Sequence, residues 1–251
     1  MKIISFNILQ GGVDDRGSRL DSILQLVEKH SPDFLALQEA NRFATDEDNL
    51  LALFSERLNL PYSALARAPR YPDGLYYHVA SFSRFPIQHS VSKAPGQLQS
   101  AALNTRIDTP LGLLSILNLH LHDSSEDARL AELELLVNQH HNEPADLVLG
   151  DFNAISRIDG YNLKTLECEA RFEVTDALGN CYVDAFAAAP EFTHPTSINT
   201  DVRFTLPRRI DYCFTNTNWA ARLRHCRVIR GDLAERASDH YPILIEFEPL
   251  P

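Results

Sequence analysis

The sequence predicts an α/β protein, and three observations predict it. First, Lys2 to Leu9, Leu20 to His30 and Phe34 to Leu37 read as strand, helix and strand in succession, the unit from which layered α/β sheets are built. Second, Leu147-Val148-Leu149 is a short run with apolar side chains on both faces, as in a buried central strand, and it stops at Gly150-Asp151-Phe152-Asn153. Third, the chain carries no short-period repeat, no heptad seam and no low-complexity tract, which leaves a mixed globular fold.

The Gly150 stretch organises the reading. Glycine allows a sharp turn where the strand ends. Asp151 and Asn153 then fall at the strand's C-terminal mouth, where polar groups of layered α/β proteins converge on a ligand. An ordinary turn uses the same residue types, so this stretch alone leaves turn and site both open.

At 251 residues the chain can build one large core or two modest ones. Apolar content is 44% and no Ser/Gly/Pro-rich linker divides it, so a single domain over 1–251 is expected. No apolar run is long enough to span a membrane, and the N-terminus lacks a signal-peptide pattern. The four cysteines, Cys168, Cys181, Cys213 and Cys226, form no C-x-x-C pair and read as reduced thiols of a cytoplasmic protein. A net charge of −11 argues against a protein that coats nucleic acid or anionic membrane non-specifically.

In chain order, Lys2 to Leu9 reads as a strand, apolar from Ile3 onward apart from Ser5 and Asn7, and a buried Asn7 needs partners. Gly11 to Arg19 is a polar loop. Leu20, Ile23, Leu24 and Val27 recur at helical spacing until Ser31-Pro32-Asp33 breaks the helix. Phe34 to Leu37 is the next strand, with Gln38-Glu39 at its end. Leu50 to Leu58 is a second amphipathic helix. From Tyr62 to His78, Arg67, Arg70, Tyr71, Tyr76 and Tyr77 interleave charge and rings, which suits either a wall against a phosphate and a flat group or a loop packed by tyrosine.

Val79 to Phe82 and the following Ser83-Arg84-Phe85-Pro86-Ile87 read as a strand ending in a proline turn. Ala101 to Ile107 and Leu111 to Leu119 pair through Asp108-Thr109-Pro110. Asn118, His120 and His122 share one face at that strand's end, which suggests a site mouth. Ser124 or Ser125 caps a helix running to Gln139, and His140 to Glu143 read as its solvated end. Beyond Asn153, Asp159 to Thr165 and Ala170 to Gly179 read as irregular, with a short helix near Cys181 to Ala188. Phe192 to Pro207 is a long loop carrying His194 and Arg203. Ile210, Tyr212 and Phe214 alternate with Asp211 and Cys213 as on a strand, so Asp211 should be paired. Val228-Ile229 is a short strand, and Ser238-Asp239-His240-Tyr241-Pro242 leads into the last one, Ile243 to Phe247.

The polar groups at strand ends are Asn7, Glu39, His120, Asp151, Asn153, Asp211, Asp239 and His240. Four carboxylates, two imidazoles, two amides and no thiol favour a hard cation such as Mg²⁺, Ca²⁺ or Mn²⁺ over Zn²⁺. Two histidines beside carboxylates supply a general base and a cationic donor. No Gly-rich phosphate loop is present, which argues against nucleoside-triphosphate chemistry. Attack of water on a phosphate ester fits this set.

The motifs also carry a resemblance. Ser5-Phe6-Asn7, Leu37-Gln38-Glu39, Ser83-Arg84-Phe85-Pro86-Ile87, Asn118-Leu119-His120-Leu121, Gly150-Asp151-Phe152-Asn153, Arg209-Ile210-Asp211-Tyr212 and Ser238-Asp239-His240-Tyr241-Pro242 resemble, in order, the motif series of the endonuclease/exonuclease/phosphatase superfamily. Each motif is weak alone; the ordered set spans nearly the whole chain. The resemblance implies a four-layer α/β sandwich, two packed mixed β-sheets flanked by helices. It implies a metal-dependent hydrolase of phosphate esters, with an endo- or exonuclease on DNA or RNA as the alternative and a catalytically silent binding relative behind both. Mg²⁺ is the implied cofactor, with Mn²⁺ able to replace it.

By the same resemblance, Asn7, Glu39 and Asp239 hold the metal, with Glu39 the main ligand. Asp151 orients or deprotonates the attacking water, Asn153 holds a phosphate oxygen, and His120 stabilises the transition state or assists the leaving group. Asp211 orients His240, which serves as base or as donor to the phosphate; the base is either Asp151 or His240. Arg67, Arg70 and Arg203 are the expected substrate contacts, read from their loops. The substrate is a nucleic acid, a phospholipid head group or a small phosphodiester, and the protein is expected to be a cytoplasmic monomer. Departures from the family's pattern bear on substrate: His78-Val79 replaces a Gly-Asn or Gly-Val, Gln97 to Ser100 contains no arginine, and no long basic insertion is present.

Overall fold

The computed structural model describes residues 1–250 apart from 46–48, 94–95, 139–143, 167–169 and 203–204. The sequence-predicted roles of Arg203, Cys168 and the segment from His140 to Glu143 therefore lie outside the described residues.

Fourteen strands and six helices follow one another among the described residues. The strands are β1 (Lys2–Asn7), β2 (Val13–Asp14), β3 (Gly17–Ser18), β4 (Phe34–Gln38), β5 (Tyr62–Ala66), β6 (Val79–Ser83), β7 (Ile87–Lys93), β8 (Ala102–Thr109), β9 (Gly112–His120), β10 (Leu147–Asp151), β11 (Val183–Asp184), β12 (Asp211–Thr215), β13 (Leu223–Val228) and β14 (Ile243–Phe247). The helices are α1 (Leu20–His30), α2 (Leu50–Leu58), α3 (Glu126–Asn138), α4 (Glu173–Gly179), α5 (Thr217–Ala220) and α6 (Asp232–Ala237).

Two six-stranded mixed sheets face each other, in the orders β13-β14-β1-β4-β6-β5 and β11-β12-β10-β9-β8-β7. Each contains one parallel pair at its centre, β1 with β4 and β10 with β9. Side-chain alternation assigns the faces. Ile4 and Phe6 pack with Ile23, Leu24 and Val27 of α1 in the larger core, while Leu117, Val148 and Phe214 of the second sheet pack with Leu133 and Leu136 of α3 and Val174 and Leu178 of α4. The result is the four-layer sandwich.

A polar cluster joins the sheets at their centre. Gln38 donates to Ser5 Oγ at 3.1 Å and to Asn118 Oδ1 at 2.7 Å; Asn118 Nδ2 donates to the carbonyls of Leu37 and Ala80 at 3.2 and 3.0 Å. Asn118 is thus on the same face as His120 but one pair deeper, spent on the opposite sheet rather than on the site mouth.

Several elements differ from their sequence reading. Tyr62–Ala66 is an edge strand, not part of a loop; its small residues pair with β6 without a strong apolar alternation. Ile87–Lys93 extends the second sheet with a half-exposed pattern, so burial did not mark it. Helix α4 forms where an irregular segment was expected, because Val174 and Leu178, one turn apart, both bury against the second sheet. The expected helix from Cys181 to Ala188 is instead the short strand β11 followed by turns, drawn to the edge of β12. Leu223–Val228 pairs along most of β14, longer than the strand expected at Val228.

Gly150 lies inside β10 rather than in a turn after it. With φ at 135°, a Cβ there would stand 2.0 Å from the carbonyl oxygen of Leu119. Glycine is required by the close approach of two parallel strands. Among the described residues, no helix is long and apolar enough to cross a membrane.

Candidate active site

Strand direction gathers the polar residues at one end of the sandwich. β1 and β4 run parallel and end there in Asn7 and, just past Gln38, Glu39. β9 and β10 run parallel and end there in His120 and Asp151, which are register partners. β12 is antiparallel to β10, so its first residue, Asp211, pairs with Asp151 at the same end. β14 is antiparallel to β1, so the residues that precede it, Asp239 and His240, arrive there too. All eight sequence-predicted residues meet, and six of them line one cleft of about 930 Å³: all but Asn7, which lies beneath, and Asp211, which stands behind His240, are in its wall.

The carboxylates are held in fixed poses. Glu39 Oε2 accepts from the Gln10 amide at 2.8 Å and Oε1 from Asn7 Nδ2 at 3.2 Å. Asn7 Nδ2 also donates to Asp151 Oδ2 at 2.9 Å, linking the two sheets at the mouth. Asp151 Oδ1 accepts from the Asn153 amide at 2.8 Å. The Ser238 hydroxyl donates to the Asn7 carbonyl at 2.6 Å, which fixes the Asp239 loop to the end of β1. Glu39 and Asn153 both sit at positive φ, 54° and 50°, and Leu9 and Gln10 beside them do the same. Left-handed backbone at non-glycine residues is costly and clusters at functional sites.

His240 and Asp211 form a buried pair. His240 Nδ1 and Asp211 Oδ2 are 2.9 Å apart, and His240 Nε2 stands 3.7 Å from Asp151 Oδ2. Burial opposes charging the ring, but Asp211 and Asp151 outweigh it and hold the His240 pKa well above the ordinary histidine value. The imidazolium is its neutral-pH form. His120 Nε2 lies 3.6 Å from Asp151 Oδ2 and 3.2 Å from Asn153 Nδ2, which also donates to the Leu121 carbonyl at 3.0 Å.

Glu39 and Asp239 carry the negative charge that a cation would meet. Burial raises the Glu39 pKa, and the neighbouring Asp239 charge adds to the rise against an opposing effect of His120. Glu39 has no ion pair with Lys or Arg within 4.0 Å among the described residues. Oxygen donors with uncompensated negative charge and no thiolate fit a hard divalent cation. In addition, Asp151, Asp211 and His240 offer ligand atoms within 4.8 Å of one another, as do His194, Asp239 and His240.

The substrate contacts expected from sequence are distributed differently. Arg67 is exposed and absent from the cleft wall. Arg70 donates to the Gly74 carbonyl at 3.3 Å and lines a separate shallow groove. The same loop reaches the cleft through its rings: Tyr71 and Tyr77 line it, 5.5 Å apart, and Tyr77 stands edge-on to His120 at 6.2 Å. Tyr77 is itself tied to Asp73 by its hydroxyl.

His194, on a loop that the sequence offered as a flank of the site, has no role of its own in the sequence reading. Its ring lies 4.8 Å from that of His240, and its Nε2 is 4.0 Å from Asp239 Oδ2. Burial, then His240 and Arg208, push its pKa down to about 2. A histidine followed by proline in a polar loop carries no signal of this placement. Only the backbone pairing of His194 with Arg208, ahead of β12, brings it in.

A family model described as the endonuclease/exonuclease/phosphatase family matches residues 4–240. No curated protein matches the chain. Solved structures share the fold. An AP endonuclease from Archaeoglobus fulgidus is 18% identical with a TM-score of 0.72, covering 99% of each chain. A 3' phosphatase from Neisseria bound to a product DNA hairpin is 20% identical with a TM-score of 0.70, again covering 99% of each. An endonuclease/exonuclease/phosphatase family protein from Leptotrichia buccalis is 16% identical with a TM-score of 0.70 and the same coverage.

Proposed function

The chain belongs to the endonuclease/exonuclease/phosphatase family, and on that premise we propose that it is a Mg²⁺-dependent hydrolase of phosphate esters. The observation that carries this reading is the convergence of the His240–Asp211 pair and Asp151 on the cleft that also holds the uncompensated Glu39 and Asp239. A divalent cation bound by Glu39 and Asp239, with Asn7 beside it, would neutralise phosphate charge.

The chain's own residues supply the rest. Asp151, oriented by Asn7 and the Asn153 amide, accepts a proton from the attacking water. His240, charged at neutral pH, is the weaker candidate for base and the better donor to a phosphate oxygen. As the water oxygen bonds to phosphorus and the ester P–O bond breaks, His120 assists the departing oxygen. Asn153 turns its amide from His120 toward a phosphate oxygen when substrate is present. Tyr71 and Tyr77 offer a flat face to the group beyond the phosphate.

The substrate class follows from charge and size. Eight carboxylates line the cleft against four guanidinium groups, those of Arg16, Arg129, Arg171 and Arg208. An acidic wall disfavours a polyanion and favours a phosphodiester of low charge. The nuclease reading keeps one support, the fold shared with enzymes that include a 3' phosphatase bound to DNA and an AP endonuclease. We read residues 1–251 as one catalytic domain, supported by a core cluster that contains side chains of both sheets, and propose that it acts as a cytoplasmic monomer.

The test is a panel of an aryl phosphodiester, sphingomyelin, inositol phosphates, RNA, and single- and double-stranded DNA. Turnover of at least one phosphodiester is expected, lost on chelation, restored by Mg²⁺ and abolished by Glu39→Gln. Full turnover by chelated protein, or none on any member with metal present, would sink the proposal.

A further inference from the structure

Three imidazoles face the cleft, and two have one nitrogen each engaged there, His240 Nδ1 on Asp211 and His120 Nε2 on Asn153, while His120 Nδ1 is buried without a partner among the described residues. The third, His194, has neither nitrogen in a hydrogen bond. Its side chain is 6% exposed, its Nδ1 is buried with no partner among the described residues, and its Nε2 stands 4.0 Å from Asp239 Oδ2. That separation is too long for a hydrogen bond. The ring is almost wholly buried, lines the cleft and keeps Nε2 unpaired on the side of Asp239, where a ligand can be taken.

The backbone that carries the ring is fixed. The His194 amide donates to the Arg208 carbonyl at 3.0 Å, and the Arg208 amide donates to the His194 carbonyl at 2.7 Å. The Asp239 loop is equally fixed, since the Thr196 amide donates to the Asp239 carbonyl at 2.8 Å and the Ser238 hydroxyl to Asn7. Two anchored backbone segments therefore carry a nitrogen and a carboxylate oxygen that stand 4.0 Å apart. Ligand bonds of about 2.0–2.2 Å let two donors of one cation stand as much as about 4.3 Å apart, which includes this gap.

We propose that His194 Nε2 and Asp239 Oδ2 are joint ligands of one divalent cation, making this a mixed nitrogen–oxygen site that prefers a transition metal of the Mn²⁺ class to Mg²⁺. The inference rests on the divalent-metal reading of the same cleft and narrows it. Carboxylate oxygens accept Mg²⁺ and Mn²⁺ alike, whereas an imidazole nitrogen suits the softer ion. His194 is then a specificity-determining ligand, the one nitrogen donor added to the oxygen donors of the same cation.

Metal-stripped full-length protein tests it by titration with Mn²⁺, followed by the loss of the free-ion electron paramagnetic resonance signal, and with Mg²⁺ by calorimetry. Wild type is expected to bind Mn²⁺ at least about tenfold more tightly than Mg²⁺, and His194→Ala to remove about tenfold of Mn²⁺ affinity while changing Mg²⁺ affinity by less than about twofold. His194→Phe, which keeps the ring volume without the nitrogen, is expected to behave like His194→Ala. Unchanged Mn²⁺ affinity in either folded variant overturns the proposal. Should both variants unfold, pulsed resonance on Mn²⁺-loaded wild type decides, since absence of any ¹⁴N coupling excludes imidazole ligation. Wild type that binds Mg²⁺ and Mn²⁺ equally overturns this inference alone; wild type that binds neither overturns the hydrolase reading as well.

Discussion

At His240 the decisive quantity is which charge the ring carries. Asp211 at 2.9 Å is the largest influence that raises its pKa, ahead of Asp151 at 3.7 Å. A histidine needed as imidazolium gives a kcat that falls as pH rises through its folded pKa, so the alkaline limb lies well above the ordinary histidine value. Asp211→Asn removes the main raising charge and is expected to move that limb to lower pH. It is also expected to cost roughly 10²-fold or more in kcat at neutral pH, and the double change with His240→Ala should cost little more, because residues acting as a unit are non-additive. A pH–rate profile of the Asp211→Asn enzyme with its alkaline limb unmoved would show that the pair is not electrostatically linked. The sign for stability is the same: what His240 gains on folding is fully present below its unfolded value and is lost as pH rises through the folded one.

At the level of elements, the site depends on how closely β9 and β10 approach. Asp151 faces His120 across that parallel pair, and Gly150 permits the approach one residue earlier. A methyl group at 150 meets the Leu119 carbonyl at 2.0 Å, and backbone cannot yield as a side-chain tip would. Gly150→Ala is therefore expected to destabilise by about 3 kcal/mol or more, from the clash and from a φ that L-residues avoid. Urea unfolding checks it, with the slope unchanged and the midpoint lowered. A loss below about 1 kcal/mol would mean that the two strands can separate without cost to the fold. The loop from Phe192 to Pro207 obeys a similar logic: Thr193 Oγ1 accepts from the amides of Ile210 and Asp211, so the segment that positions His194 also fixes the start of β12.

For the whole molecule, the cleft is a seam between two sheets. Glu39 and Asn7 come from one, Asp151 and His120 from the other, and Asp239 from the loop that closes onto β14. A cation held at that seam links parts of the chain that only the native fold brings together, so it binds the folded state and not the unfolded one. At one hundred times its Kd, a divalent ion is expected to add about 2.7 kcal/mol, which for a chain of this size raises Tm by roughly 5–10 °C. Calorimetric scans with chelator and with Mg²⁺ or Mn²⁺ measure the shift, and Glu39→Gln should reduce it. Identical scans in chelator and in saturating metal would place the ion elsewhere than this seam.

By itself the sequence determined the α/β class, the strand that carries Asp151 and the eight polar residues that meet at the strand ends. These were legible because each lies near one end of an apolar strand, five at C-terminal ends and three (Asp211, Asp239 and His240) at or before N-terminal ends, and a strand's ends are local properties. Tertiary structure alone decided three other things. Alternation placed Asn118 on the same face as His120 but could not say that the other sheet lies opposite, and so could not separate a residue that joins two sheets from one that faces a ligand. Residue type pointed to Arg67 and Arg70 as substrate contacts, yet the loop turns its tyrosines to the cleft, because the fixed backbone path from β5 to β6 sets which side chains face inward. His194 entered the site only through a backbone bridge to Arg208, a contact across a loop whose closure depends on non-local hydrogen bonds that no spacing in the sequence encodes.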